Sequence, residues 1–195
     1  MFGLHATTIC ASKYFSHQQM MILYDQGVIH FGENRAQDML KKQAHLNQLP
    51  IIWHFIGHLQ TNKVKEMINQ IDYLHTLDRI SLAESIEKYR IQPLKCFVQV
   101  NLTDESQKSG INPDNLAQFL IEIKKYDKIE IIGLMTIGKA DDLEMTEKAF
   151  IKLKELALEF GLKEKSMGMS DDYEVALKHG ATYLRIGRKF KELLE

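Results

Sequence analysis

Residues 96–135 read CFVQVNLTDESQKSGINPDNLAQFLIEIKKYDKIEIIGLM. The run Cys96 to Val100 is short and apolar, as a buried strand requires, and Ile129 to Met135 is a second run of the same kind. Between them Leu116, Phe119, Leu120 and Ile123 recur at helical spacing, and Asn112 before Pro113 marks a helix start. Strand, helix, strand is one βα unit, and the same rhythm continues on both sides of it. Further strands are predicted at Ala6 to Ser12, Val28 to Phe31, Ile52 to Ile56, Tyr73 to Leu77, Ser166 to Met169 and Tyr183 to Ile186, which makes eight in all. A second clear helix carries Ala149, Leu153, Leu156 and Phe160 and begins after Asp142. Asp171 stands three before Glu174 as a capping box for the next helix, and Gly161 and Gly180 stop the helices before the last two strands.

Eight units in 195 residues leave about 24 per unit, close to the lower size of closed eight-stranded barrels. The predicted architecture is therefore a (β/α)8 TIM barrel formed by residues 1–195 as a single domain. An open doubly wound sheet is the rival, but no glycine-rich phosphate fingerprint follows the first strand. No linker, low-complexity segment or second domain is visible. Lys plus Arg number 25 against 26 Asp plus Glu, a formal net charge of -1, so neither nucleic acid nor an anionic membrane is expected as a partner. The chain start lacks the basic head and long apolar run of a signal peptide, and no stretch is long and apolar enough to span a bilayer, so a cytoplasmic protein is expected. Cys10 and Cys96 are far apart within apolar runs and read as small buried hydrophobes.

In such a barrel the functional residues gather where strands end. Those positions hold Lys13; Gly32, Glu33, Asn34 and Arg35; Gly57, His58, Gln60, Thr61 and Asn62; Asp78; Asn101; Met135 and Thr136; Met169 and Ser170; and Arg185, Gly187 and Arg188. Lys13 emerges from the end of a buried strand. Partial desolvation there would lower its pKa and favour Schiff-base chemistry, although a lysine that merely snorkels from a strand end suits the same position. The loops after strands seven and eight often bind phosphate. Here Ser170 offers a hydroxyl, Gly187 a close backbone approach and Arg188 a charge, while Ser170 also suits a plain helix cap beside Asp171 and Asp172. An amine with a phosphate site points to a phosphorylated aldehyde, of which pyridoxal 5'-phosphate (PLP) is the obvious one. His54 and His58 would share one strand face without the partners a zinc site needs, so no metal is expected. Met135, Met167 and Met169 could line a flat cofactor or simply fill the core.

These residues fall into ordered blocks: Ala11-Ser12-Lys13, Phe31-Gly32-Glu33-Asn34-Arg35 with Gln37, Trp53 through Lys63 (WHFIGHLQTNK), Val98-Gln99-Val100-Asn101, Lys108-Ser109-Gly110, Gly133-Leu134-Met135, Met167 through Tyr173 (MGMSDDY) and Arg185-Ile186-Gly187. In them the chain resembles the YggS/PROSC family, the pyridoxal 5'-phosphate homeostasis proteins. The resemblance implies a fold like the N-terminal barrel of alanine racemase, fold type III among PLP proteins, without the racemase's second domain. It implies an internal aldimine on Lys13, phosphate held by Ser170 and the backbone around Gly187, Asn34 near the cofactor, and Arg185 facing the pyridine nitrogen. A guanidinium can only donate, so that nitrogen should stay unprotonated and the ring a weak electron sink. Two features depart from the family. A further helix normally precedes the lysine strand, so here the barrel bottom is covered differently or the start is late. Arg188 and Lys189-Phe190-Lys191 replace a small hydroxyl residue and an Ile-Phe-Gly ending.

The expectation is thus a monomeric PLP carrier that buffers the aldehyde or hands it to PLP-dependent apoenzymes, without robust turnover. Racemisation needs an acid/base group on each substrate face, and only Lys13 is evident. The alternative is a small PLP-dependent racemase or lyase; a third reading is a barrel enzyme for phosphorylated sugars that takes no PLP.

Overall fold

The computed structural model describes residues 5–103 and 109–194. Strands and helices alternate as β1 (Thr7–Ala11), α1 (His17–Asp25), β2 (His30–Glu33), α2 (Ala36–Leu46), β3 (Ile52–Phe55), α3 (Thr61–Met67), β4 (Tyr73–Leu77), α4 (Ile80–Tyr89), β5 (Leu94–Gln99), α5 (Leu116–Ile123), β6 (Ile129–Met135), α6 (Leu143–Glu159), β7 (Glu164–Ser166), α7 (Tyr173–Lys178) and β8 (Tyr183–Ile186). The strands pair in parallel in chain order, and β1 closes on β8 with Thr7 opposite Tyr183 and Cys10 opposite Ile186. This is the closed (β/α)8 barrel that the strand count predicts.

Local chemistry explains the boundaries. α1, α6 and α7 end in one pattern, with a glycine in the left-handed region (Gly27, Gly161, Gly180) and the next residue's N–H bonded to the carbonyl five residues back. For α1 that residue is Val28, bonded to the Leu23 carbonyl. The cap therefore consumes Val28, and β2 occupies 30–33 instead of the expected 28–31. β7 differs more: it ends at Ser166, where the sequence reading begins it. Gly168 lies at φ +96°, which no strand continues through, and a Cβ there would fall 2.6 Å from the Ala176 Cβ. Asp142 caps α6 by accepting from the Met145 N–H. The capping box predicted at Asp171 is absent. Asp172 holds the N-cap position of α7 and its carboxylate accepts from Met169 upstream, while Asp171 pairs with Arg188.

Two buried layers result. Outside the sheet, Phe31, Leu74, Cys96, Val98, Leu184 and Ile186 pack against helix residues such as Met20, Leu82, Phe150 and Leu153. Both cysteines are free and buried, and burial pushes their thiols well above the usual range. Inside the barrel the character changes. His75 of β4 bonds to Ser166 of β7, strands that are not neighbours, so the contact crosses the interior. No helix among the described residues is long and apolar enough to cross a membrane.

Candidate functional site

Lys13 follows β1 in a short 3-10 turn over Ser12–Tyr14. The turn sits on buried polar groups: the Ser12 hydroxyl lies 2.8 Å from Glu33 Oε1, and Lys42 Nζ reaches both that carboxylate and, at 2.7 Å, the Ser12 carbonyl. The desolvation expected of Lys13 is not found. Because the turn swings the chain outward, its side chain is exposed, with Nζ 4.7 Å from the centroid of the Tyr14 ring.

On the adjacent side of the mouth, the Ser170 Oγ accepts from the Gly187 N–H at 3.3 Å, which joins the loops after β7 and β8. A Cβ on Gly187 would meet only ordinary contacts with Ala11, at 3.5 Å or more, so the protein's own packing does not demand glycine there. Arg188 does not offer a free charge, since its guanidinium is paired with Asp171 in an exposed ion pair. Burial raises the Asp172 carboxyl.

Opposite lies a cavity of about 410 Å³ lined by Asn34, Gly57, His58, Thr76, Gln99 and Thr136, among others. Asn34 Oδ1 is buried without a hydrogen-bond partner, an expensive state for an amide oxygen unless a ligand completes it. Gly57 is required by that residue's backbone, for a Cβ would fall 2.1 Å from the Asn34 carbonyl oxygen. β3 ends at Phe55, so His58 is a loop residue beside Asp78 and Ser109 and does not share a strand face with His54. Met135 is wholly buried and absent from the cavity lining, which passes from Gln99 to Thr136. Lys108 of the Lys108-Ser109-Gly110 block lies outside the described residues.

Arg185 lies below the rim, 5 % exposed. Its guanidinium donates to Ser166 Oγ at 2.7 Å and to the Thr136 carbonyl at 2.9 Å. No carboxylate pairs with it among the described residues. Burial, opposed by the field of Asp172, brings its pKa down to about 10, and it remains a cation at neutral pH. Two Nη protons and the Nε–H remain for a ligand.

Beneath Arg185 runs a set of contacts that the strand-end inventory missed. His30 Nδ1 lies 2.9 Å from His54 Nε2, His54 Nδ1 lies 3.0 Å from His75 Nε2, and His75 Nδ1 lies 2.8 Å from Ser166 Oγ. His54 stacks on Tyr73 and His75 on Phe97, which fixes both rings. Burial is the main cause holding both imidazoles well below the ordinary histidine pKa, so both are neutral. The usable signal was a histidine at an inward position in each of three consecutive predicted strands.

The family described as alanine racemase, N-terminal domain, matches residues 11–188. The pyridoxal phosphate homeostasis protein of Pseudomonas aeruginosa is 39% identical over 167 residues, covering 83% of this chain and 73% of that protein. Its counterpart from Aquifex aeolicus is 38% identical over 192 residues, 93% of this chain and 84% of that one. PipY of Synechococcus elongatus PCC7942, solved with PLP bound, is similar with a TM-score of 0.90 at 31% identity, over 96% of this chain and 93% of PipY. An alanine racemase of Clostridium difficile 630, at 15% identity and a TM-score of 0.76, matches 96% of this chain with 52% of its own length and shares the fold. The chain therefore belongs to the alanine racemase N-terminal domain family and, within it, to the pyridoxal phosphate homeostasis proteins.

Proposed function

We propose that this protein binds PLP covalently through Lys13 and serves intracellular PLP homeostasis as a carrier. Arg185 carries the reading: a buried cation with spare donors and, among the described residues, no carboxylate partner suits an uncharged acceptor on a ligand, and the pyridine nitrogen is such an acceptor. Asn34, with its unpaired amide oxygen, faces the same mouth. The hydroxyl of Ser170 and the N–H of Gly187 suit the phosphate. Arg188, paired with Asp171, lies beside that pair without adding net charge, and Met135 is buried next to the lining residue Thr136.

PLP, when bound, supplies a reactive aldehyde and an aromatic ring. Arg185 holds no proton it can give up near neutrality, so it keeps the ring nitrogen unprotonated and leaves carbanion chemistry weakly supported. The exposed amine of Lys13 stands at the rim, where another amine can approach. A cytoplasmic monomer that hands PLP to apoenzymes accords with this arrangement, and the homologues carry the names of homeostasis proteins and not of enzymes.

The test is an absorbance spectrum after PLP addition, for the wild type and for Lys13→Ala, followed by borohydride reduction and peptide mapping. A long-wavelength band present in the wild type, lost in the variant and mapped to Lys13 is the expected result; no band in either overturns the reading. Arg185→Ala should weaken retention or shift the band. Substantial release of amino-acid α-protons into solvent would instead favour a racemase or lyase.

A further inference from the structure

Counting protons along the interior contacts gives them a direction. A guanidinium only donates, so Ser166 Oγ accepts from Arg185. The Ser166 side chain is wholly buried, and among the described residues its other hydrogen-bond neighbour is His75 Nδ1. Its hydroxyl hydrogen is paired only if it points to His75 Nδ1, which then accepts. A neutral His75 must carry its proton on Nε2 and donate to His54 Nδ1; His54 in turn donates from Nε2 to His30 Nδ1. The reverse order leaves a buried hydroxyl hydrogen without an acceptor, which costs free energy.

We propose that Ser166 and His75, continued through His54 to His30, are positioning residues for Arg185: a one-way hydrogen-bonded chain across the barrel interior that holds the guanidinium in place beneath the mouth. The chain starts at the half-buried His30 on the rim where strands begin and ends under the rim where they finish. Its stacked rings and the two acceptors of Arg185, Ser166 Oγ and the Thr136 carbonyl, leave the guanidinium a single seat. That this seat lies under a cofactor ring rests on the carrier reading above; the direction of the chain does not.

Side-chain nitrogen NMR on the whole protein without cofactor tests it. His54 and His75 should both be neutral and carry the proton on Nε2, by about tenfold or more over the other tautomer. Arg185 should show slow rotation of its Nη1 group. Ser166→Ala should collapse that slow rotation and mix the His75 tautomers, and Ser166→Thr, which keeps the hydroxyl, should restore both. A His75 proton mainly on Nδ1, or Arg185 signals unchanged in Ser166→Ala, overturns the proposal. If Ser166→Ala does not fold, the wild-type tautomers decide. With PLP added, Ser166→Ala should move the long-wavelength maximum and Ser166→Thr should return it; an unmoved maximum in loaded Ser166→Ala overturns the positioning role. A wild type that takes up no PLP overturns the carrier reading alone, and the cofactor-free spectra still judge the chain.

Discussion

Leu184 and Arg185 are neighbours in β8, both buried, and they enter different interiors. Leu184 joins the apolar layer between sheet and helices, where close packing and area removed from water hold the structure. Arg185 joins a lumen of imidazoles, a hydroxyl and aromatic rings, where every polar atom needs a partner and orientation matters more than area. The outer layer resists unfolding and is indifferent to side-chain detail within limits of volume. The inner one is specified atom by atom.

That contrast breaks if the two layers respond alike, and the largest test lies outside. Phe150, wholly buried in α6, should cost about 3–5 kcal/mol when replaced by alanine. Urea denaturation measures the loss, and the His54 and His75 tautomers of the folded fraction should not change.

Acid should act on the inner layer. Histidine titrates near 6.5 in the unfolded chain, and burial holds His54 and His75 well below that in the folded one. The unfolded state therefore binds more protons below pH 6.5, and the stability these groups contribute is full above that pH and lost as it falls. Two such groups predict a fall of at most about 2–3 kcal/mol from pH 7 to 5.5. Denaturation curves at the two values should show it in Phe150→Ala as in the wild type, and His75→Phe should flatten it.

Replacing Ser166 by alanine strands His75 Nδ1 and removes one acceptor of Arg185, for about 1–3 kcal/mol. A loss as large as that of Phe150→Ala would mean that the lumen, too, is held mainly by packing. The smallest effect belongs to the outer edge: Asp142→Ala, which removes the cap of α6, should lower the melting temperature less than any of the changes above.

The outer layer was the legible one. Its residues repeat locally, every second position in strands and every third or fourth in helices, so Leu116, Phe119 and Ile123 could be read in one glance. The cap at Asp142 and the stops at Gly161 and Gly180 were equally local. The strand misplaced at 166–169 failed because Gly168 looked like a strand glycine, and only its positive φ shows the turn. Of the site, Ser170 and Gly187 were read together because phosphate often sits between the loops after strands seven and eight, whereas their bond to each other was not legible. The histidine chain was illegible as a chain. Its members lie 24 and 21 residues apart and reach Ser166 another 91 residues on, so only barrel closure brings them together. The exposure of Lys13 was hidden for a similar reason, since the turn that swings it out rests on Lys42 and Glu33.

Trp53 is the chain's single tryptophan, and it adjoins His54 in β3. Alternation along the strand turns the indole toward the helices while the imidazole turns into the lumen. Intrinsic fluorescence of this protein is thus a one-sided reporter: its emission registers wetting of the sheet's outer surface, and a proton shifting along the lumen one residue away should pass without a change in colour.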